Sequence, residues 1–317
     1  PLRALAGDGN AVLQESLRVF QAADAVDVDY RRPAGARFGA DHLWQGDNRS
    51  AGALIQLYIH PDSAKAAEKD ALQWAVIDAA GDTVRQAAMD AEEGLQAIRW
   101  RFDSNGTDWP RRGVKKKKSH PSGGGPSVLP GTYTFAVQMG ENDGVTPVTI
   151  YPDPRVPYDQ SAHEKRNAFQ HEVMEEVQPI ADAMDVIQRG LATIGLVKQE
   201  MGFLPDTLTE DVMELTDSLR TSLLDVEALY TEPKDFKGIE SVTERLSSVM
   251  WNAFSLNGGD GVPGGNSQRA LERLREEGAV FIAAVDTVME GVWTEWIRQV
   301  QAIDRSPQRI FEEAGKD

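Results

Sequence analysis

Residues 128–155, VLPGTYTFAVQMGENDGVTPVTIYPDPR, restrict the fold more than any other stretch of the chain. Tyr133, Phe135, Val137 and Met139 alternate with small or polar residues, the period of a strand with one buried face. Asp143-Gly144 lies in the connection that follows and offers the positive φ a hairpin loop needs. A second run, 145–151, then meets Pro152 and Pro154, which have no amide hydrogen to pair. Pairing is therefore expected to stop near Ile150 or Tyr151. Beyond Pro157 the pattern changes for good, and apolar residues recur every three or four positions. The chain of 317 residues is long enough for two cores, and this switch divides it into a β module and a helical module.

Further strands precede the hairpin. Ala53–His60, ALIQLYIH, is apolar on both faces and suits a strand covered on both sides. Leu72–Asp78 and Thr83–Ala88 flank an Ala80-Gly81-Asp82 turn. In Gly94–Phe102, Ile98, Trp100 and Phe102 oppose Arg99 and Arg101. Short strands bounded by turn residues predict an antiparallel β-sandwich of immunoglobulin (Ig) or fibronectin type over residues 35–155. Residues 1–34 read as a connecting segment, with a short helix over Ala11–Ala23 and a strand through Val26, Val28 and Tyr30. Within the sandwich, residues 103–126 hold Pro110, Arg111-Arg112, Lys115–Lys118 and Ser122–Gly125. That composition buries too little apolar surface to order itself, so a mobile loop is expected.

Residues 156–317 predict a four-helix up-down bundle, making the whole an α+β multidomain chain. Phe169, Val173, Val177, Ile180, Met184, Ile187, Leu191 and Ile194 draw one stripe, interrupted only by a kink expected at Pro179. Val212, Leu215, Leu219, Leu223 and Val226 draw the second. Ile239, Val242, Leu246, Val249, Met250 and Phe254 draw the third. Leu271, Leu274, Ile282, Val285, Met289, Val292 and Trp296 draw the fourth. Gly202 with Pro205, Glu232-Pro233 and residues 257–266 separate them.

Charge narrows the partners. Residues 160–317 hold 29 Asp and Glu against 15 Lys and Arg. So acidic a body repels nucleic acid and anionic membrane. No apolar run approaches the roughly 20 residues that span a bilayer, so membrane insertion is not expected. With no cysteine, thiolate metal sites and Cys nucleophiles are excluded.

The remaining chemistry-bearing motifs are incomplete. His171-Glu172 with Glu175-Glu176 superficially matches the helical zinc-protease signature, but Glu175 stands where the second histidine belongs, and His163 is two turns back. Ser104–Trp109 resembles an Asp-box turn with the wrong spacing. Asn257-Gly258-Gly259-Asp260-Gly261 lacks the carboxylate ladder of a calcium loop. Asp41, His42 and Asp47 near Trp44 could form part of a polar pocket, but without a serine in a nucleophile-elbow context they make no hydrolase triad. No residue is assigned a catalytic role, and neither a metal nor a cofactor is expected.

In order, PLRAL, AGALIQLYIH, GLQAIRWRF, LPGTYTFAVQM and TIYPDPR resemble the region following the β-propeller in bacterial secreted proteins of the sortilin-like, Asp-box (BNR) repeat type. Relatives of that type often carry glycosyl hydrolase labels. The likeness covers residues 1–155 by motif and 156–317 by helical character alone, and the Lys-rich loop departs from it as an insertion. It implies a connecting segment, an Ig-like sandwich with a PGTY strand and a DPR exit, and a helical region. It also implies secretion to the periplasm or exterior, and a β-propeller, its own or a partner's, as neighbour, with another protein partner possible. No propeller repeat stands in this sequence, so no propeller activity maps onto its residues. The expected function is a non-catalytic extracytoplasmic accessory or interaction module, the C-terminal part of a secreted propeller protein. The alternative is part of a glycoside hydrolase or peptidase with its site between the modules. The start at Pro1 reads as a processed or excised end.

Overall fold

A computed structural model of the chain describes residues 1–28, 50–69, 71–114, 124–234, 236–237, 244–256, 261–306 and 308. The chain divides into two compact units, residues 1–107 with 118–168 and residues 108–117 with 169–317. The segment after Thr107 therefore belongs to the helical unit.

The β unit opens with helix α1 (Leu2–Asp8) and a 3-10 turn (Gly9–Gln14). Strands β1 (Leu17–Val19), β2 (Ala25–Asp27) and β3 (Ala53–Ile59) follow, then helix α2 (Pro61–Ala66). Strands β4 (Leu72–Ile77), β5 (Thr83–Met89), β6 (Gly94–Trp100), β7 (Gly131–Met139) and β8 (Asn142–Pro152) complete it. They form a three-stranded sheet, β1-β3-β6, and a five-stranded sheet, β2-β8-β7-β4-β5. All pairs are antiparallel except β2 with β8, which run parallel with Ala25 opposite Ile150 and Asp27 opposite Pro152. Pairing thus continues to Pro152, one residue beyond the expected stop.

Ile55, Leu57, Ile59 and Trp100 from the smaller sheet share one core with Leu72, Val76, Phe135, Val148 and Ile150 from the larger. On the other side of β3, Tyr58 packs with Val12 and Phe20, which covers its second face. Gly52 enters β3 at φ +107, where an added Cβ would lie 2.3 Å from the carbonyl oxygen of Trp100. Phe102 is left-handed (φ 63) yet buried, its ring edge-on to Trp100. β7 and β8 pair from Gly131–Ile150 to Met139–Asn142, so Gly140 and Glu141 form the connection. Gly140, at φ 60, supplies the positive φ expected of Asp143-Gly144, which lie inside β8.

Two family-like motifs have plain structural roles. The Tyr133 hydroxyl of LPGTY donates to the Leu129 carbonyl at 2.7 Å. In the DPR exit, Arg155 closes on the Asp153 carboxylate through Nε, at 2.8 and 3.0 Å, and through Nη2. That pairing holds the Asp153 carboxyl down at about 2.

The helical elements are α3 (Gln160–Met201), α4 (Asp206–Tyr230), α5 (Leu246–Ser255), α6 (Gly265–Val288), a π turn (Met289–Trp293) and α7 (Thr294–Ala302). Val177, Ile180, Met184 and Ile187 of α3 share a core with Leu219 and Leu223 of α4 and Val249 and Met250 of α5. Leu271, Leu274, Phe281 and Val285 of α6 and Trp296 of α7 complete it. Trp296 Nε1 donates to Thr216 Oγ1 at 2.8 Å, so its polar edge is satisfied inside. α3 continues on both sides of Pro179. Among the described residues, no helix is long and apolar enough to cross a membrane.

The expected antiparallel Ig/fibronectin-like sandwich followed by a four-helix up-down bundle is corrected on both counts. The larger sheet is mixed, because β2 lies parallel to β8, and it curls into a half-barrel. The described helical part comprises α3 and α4, the ten-residue α5, and a last helix broken by a π turn into α6 and α7. Alternation of side chains reports burial and carries no information on strand direction. A stripe at steps of three and four likewise tolerates the extra residue of a π turn without showing it.

Candidate functional site in the helical unit

Helix α4 turns Leu219, Leu223, Val226 and Tyr230 inward. Glu227 stands four residues after Leu223 and so falls on the same face, where it is 3% exposed. It is the one buried carboxylate among the described residues. A charge so placed is tolerated only if its oxygens are claimed. Gln188 of α3, itself buried, donates from Nε2 to Glu227 Oε1 at 2.8 Å. Arg112 donates from Nε to the same oxygen at 3.0 Å, and from Nη2 to the Glu232 carbonyl.

Arg112 belongs to residues 108–114, a strap lying on the helices. The strap's main chain is read by helix side chains. The Asp108 amide donates to Gln178 Oε1 at 3.1 Å, and the Gly113 amide to Gln188 Oε1 at 2.8 Å. The Tyr230 hydroxyl reaches the Pro110 carbonyl at 3.4 Å. Burial pushes that phenol up to about 12, so it remains a donor at any ordinary pH. Trp109 meets Phe254 edge-on at 5.2 Å between centroids. Beneath the strap, Glu232 takes both arms of Arg245 at 3.0 and 3.1 Å. Arg245 also donates to the Ala228 carbonyl at 2.7 Å, satisfying one of the free carbonyls at the end of α4. The assembly binds a guanidinium and main-chain groups of the strap.

The motifs weighed in the sequence fall elsewhere. Glu172 and Glu176 both accept from Arg275 of α6, at 3.1 and 2.7 Å, an ion pair that ties α3 to α6. The His163 ring lies 4.7 Å from that of Tyr158. Among the described residues, no group of three His, Asp or Glu could hold a metal ion. Ser104–Trp109 is split in function. Ser104 Oγ donates to the Pro126 carbonyl at 2.9 Å and Asn105 Oδ1 accepts from the Gln86 amide at 3.1 Å, whereas Trp109 joins the helical core. Asp41, His42, Trp44, Asp47, Lys115–Lys118 and residues 257–260 lie outside the described residues. Glu227 and Gln188 were not singled out from the sequence. The available signal was a carboxylate standing at a stripe position of α4.

No protein-family model matches the chain, and no curated protein matches it at a significant level.

Proposed function

We propose that this chain is a non-catalytic accessory or interaction module, the C-terminal part of a secreted β-propeller protein acting in the periplasm or outside the cell. The observation that carries the interaction reading is the commitment of Glu227: the buried carboxylate holds a peptide segment through Arg112 and Gln188. A general acid or base faces a space a substrate can enter; this carboxylate faces its own chain. The propeller and secretion parts of the reading are supported by the order of the motifs from PLRAL to TIYPDPR. Two experiments test it. The chain is assayed on glycan and peptide substrates, where turnover sensitive to substitution of its carboxylates overturns the non-catalytic reading. The reading frame surrounding Pro1 is recovered and any propeller it encodes is titrated against the chain by calorimetry. A frame without a propeller, or a propeller that does not bind, removes that partner.

A further inference from the structure

We infer that the helical unit carries a recognition site for a Trp-Pro-x-Arg-Gly segment, whose resident occupant is the chain's own residues 109–113. The inference rests on the interaction-module reading and adds to it the segment that is recognised.

Each position of the segment has a physical reason. Trp109 packs edge-on against Phe254 and joins the partly buried residues around the helical core. Pro110 is buried, and its carbonyl accepts from Tyr230. Arg111 is exposed, which leaves that position free. Arg112 is fixed at its Nε by Glu227 and at its Nη2 by the Glu232 carbonyl. Gly113 sits at φ +89, where an L side chain is strained, and its amide donates to Gln188.

The Gly113 amide and Pro110 carbonyl of the segment, and the Asp108 amide just before it, are matched by side chains of α3 and α4 lying 70 to 120 positions away, rather than by a backbone ladder. Two of the matching groups, Glu227 and Gln188, are buried in the helical unit. Without the segment, Glu227 loses the one cation paired with it among the described residues and Gln188 loses the amide on its oxygen. The helices therefore retain a demand for a guanidinium and a backbone N–H together, which a segment of the same chemistry supplies from outside.

The test uses the full chain. A Trp109→Ala/Arg112→Ala variant vacates the site, and a fluorescent peptide with the sequence of residues 108–114 is titrated into it by polarisation. The vacated chain is expected to bind the peptide at least about tenfold tighter than the parent, in which the resident segment competes. Adding Glu227→Gln, or replacing the peptide's Arg112 equivalent by Ala, should weaken binding at least about tenfold. A vacated chain that keeps its helical circular dichroism and cooperative melt but binds no peptide overturns the inference. If the double variant does not fold, Arg112→Lys is used, and hydrogen exchange of the strap amides is followed with saturating peptide. Unchanged protection there also overturns it. Loss of peptide binding with propeller binding retained removes this site alone; the reverse result removes the propeller reading alone.

Discussion

Arg112 and Glu227 are unequal partners: the arginine side chain is 29% exposed and the carboxylate 4%. Removing the arginine leaves a buried charge with only an amide to hold it, a change that costs about 3–5 kcal/mol when both partners are buried. Solvent reaches this guanidinium, so Arg112→Ala is expected to cost nearer about 2 kcal/mol, read from chemical denaturation. Pairing it with Glu227→Leu should recover most of that loss, and two independent losses that simply add would contradict the coupling. Tyrosine burial sets a second expectation. Tyr133 and Tyr230 hold their protons to about 12, whereas unfolded tyrosine loses its proton near 10. Above pH 10 the unfolded chain binds fewer protons than the folded one, so stability is intact below that pH and falls between 10 and 12. Tyr133→Phe with Tyr230→Phe should flatten this limb in thermal melts across the range. The inward positions of Tyr133, Phe135, Val137 and Met139 were legible from alternation, and all four are buried. The bond from Tyr133 to Leu129 was not legible, since a phenol's partner depends on where the chain bends four residues upstream.

Elements meet at positions set by small residues. Gly278 of α6 faces Ile180 of α3, and an added Cβ would lie 3.0 Å from Ile180 Cδ1. Glycine inside a helix costs about 1 kcal/mol relative to alanine, while overfilling a packed core costs about 1–3 kcal/mol. Ile180 is 1% exposed and has little room to yield, so the second effect wins. Gly278→Ala should destabilise by about 1 kcal/mol, and Ile180→Val should convert the same substitution into a stabilising one in a double-mutant cycle. Equal effects of Gly278→Ala in both backgrounds would contradict the contact. Periodicity was enough to read the stripes of α3 and α4, whose members Val177, Ile180, Met184, Leu219 and Leu223 are buried. It was not enough to read the direction of β2, whose three residues find their partners more than 120 positions later. Nor did it reveal the π turn at Met289–Trp293, where backbone hydrogen bonding changes and composition does not.

At the scale of the whole chain, the helical unit is not contiguous in sequence: it takes residues 108–117 from before the last hairpin of the β unit. Composition reads 103–126 as one stretch, because Lys, Gly and Ser dominate it, and a Trp and an Arg gain their order from helices that local composition does not include. Replacing residues 108–114 by an equally long Gly/Ser stretch should lower protection against hydrogen exchange in α4. The β unit, whose core is built from its own two sheets, should keep its protection. Equal loss in both would show that the strap serves the fold in general. Synthesis gives the same arrangement a clock. Arg112 precedes Glu227 by 115 positions, and at about 5–20 residues per second the ribosome needs roughly 6–23 seconds to join them. For that interval Trp109 and Arg112 exist in a nascent chain without the helices that will hide them. The arrival of α4 ends that interval for Arg112, and that of α5, which brings Phe254, ends it for Trp109.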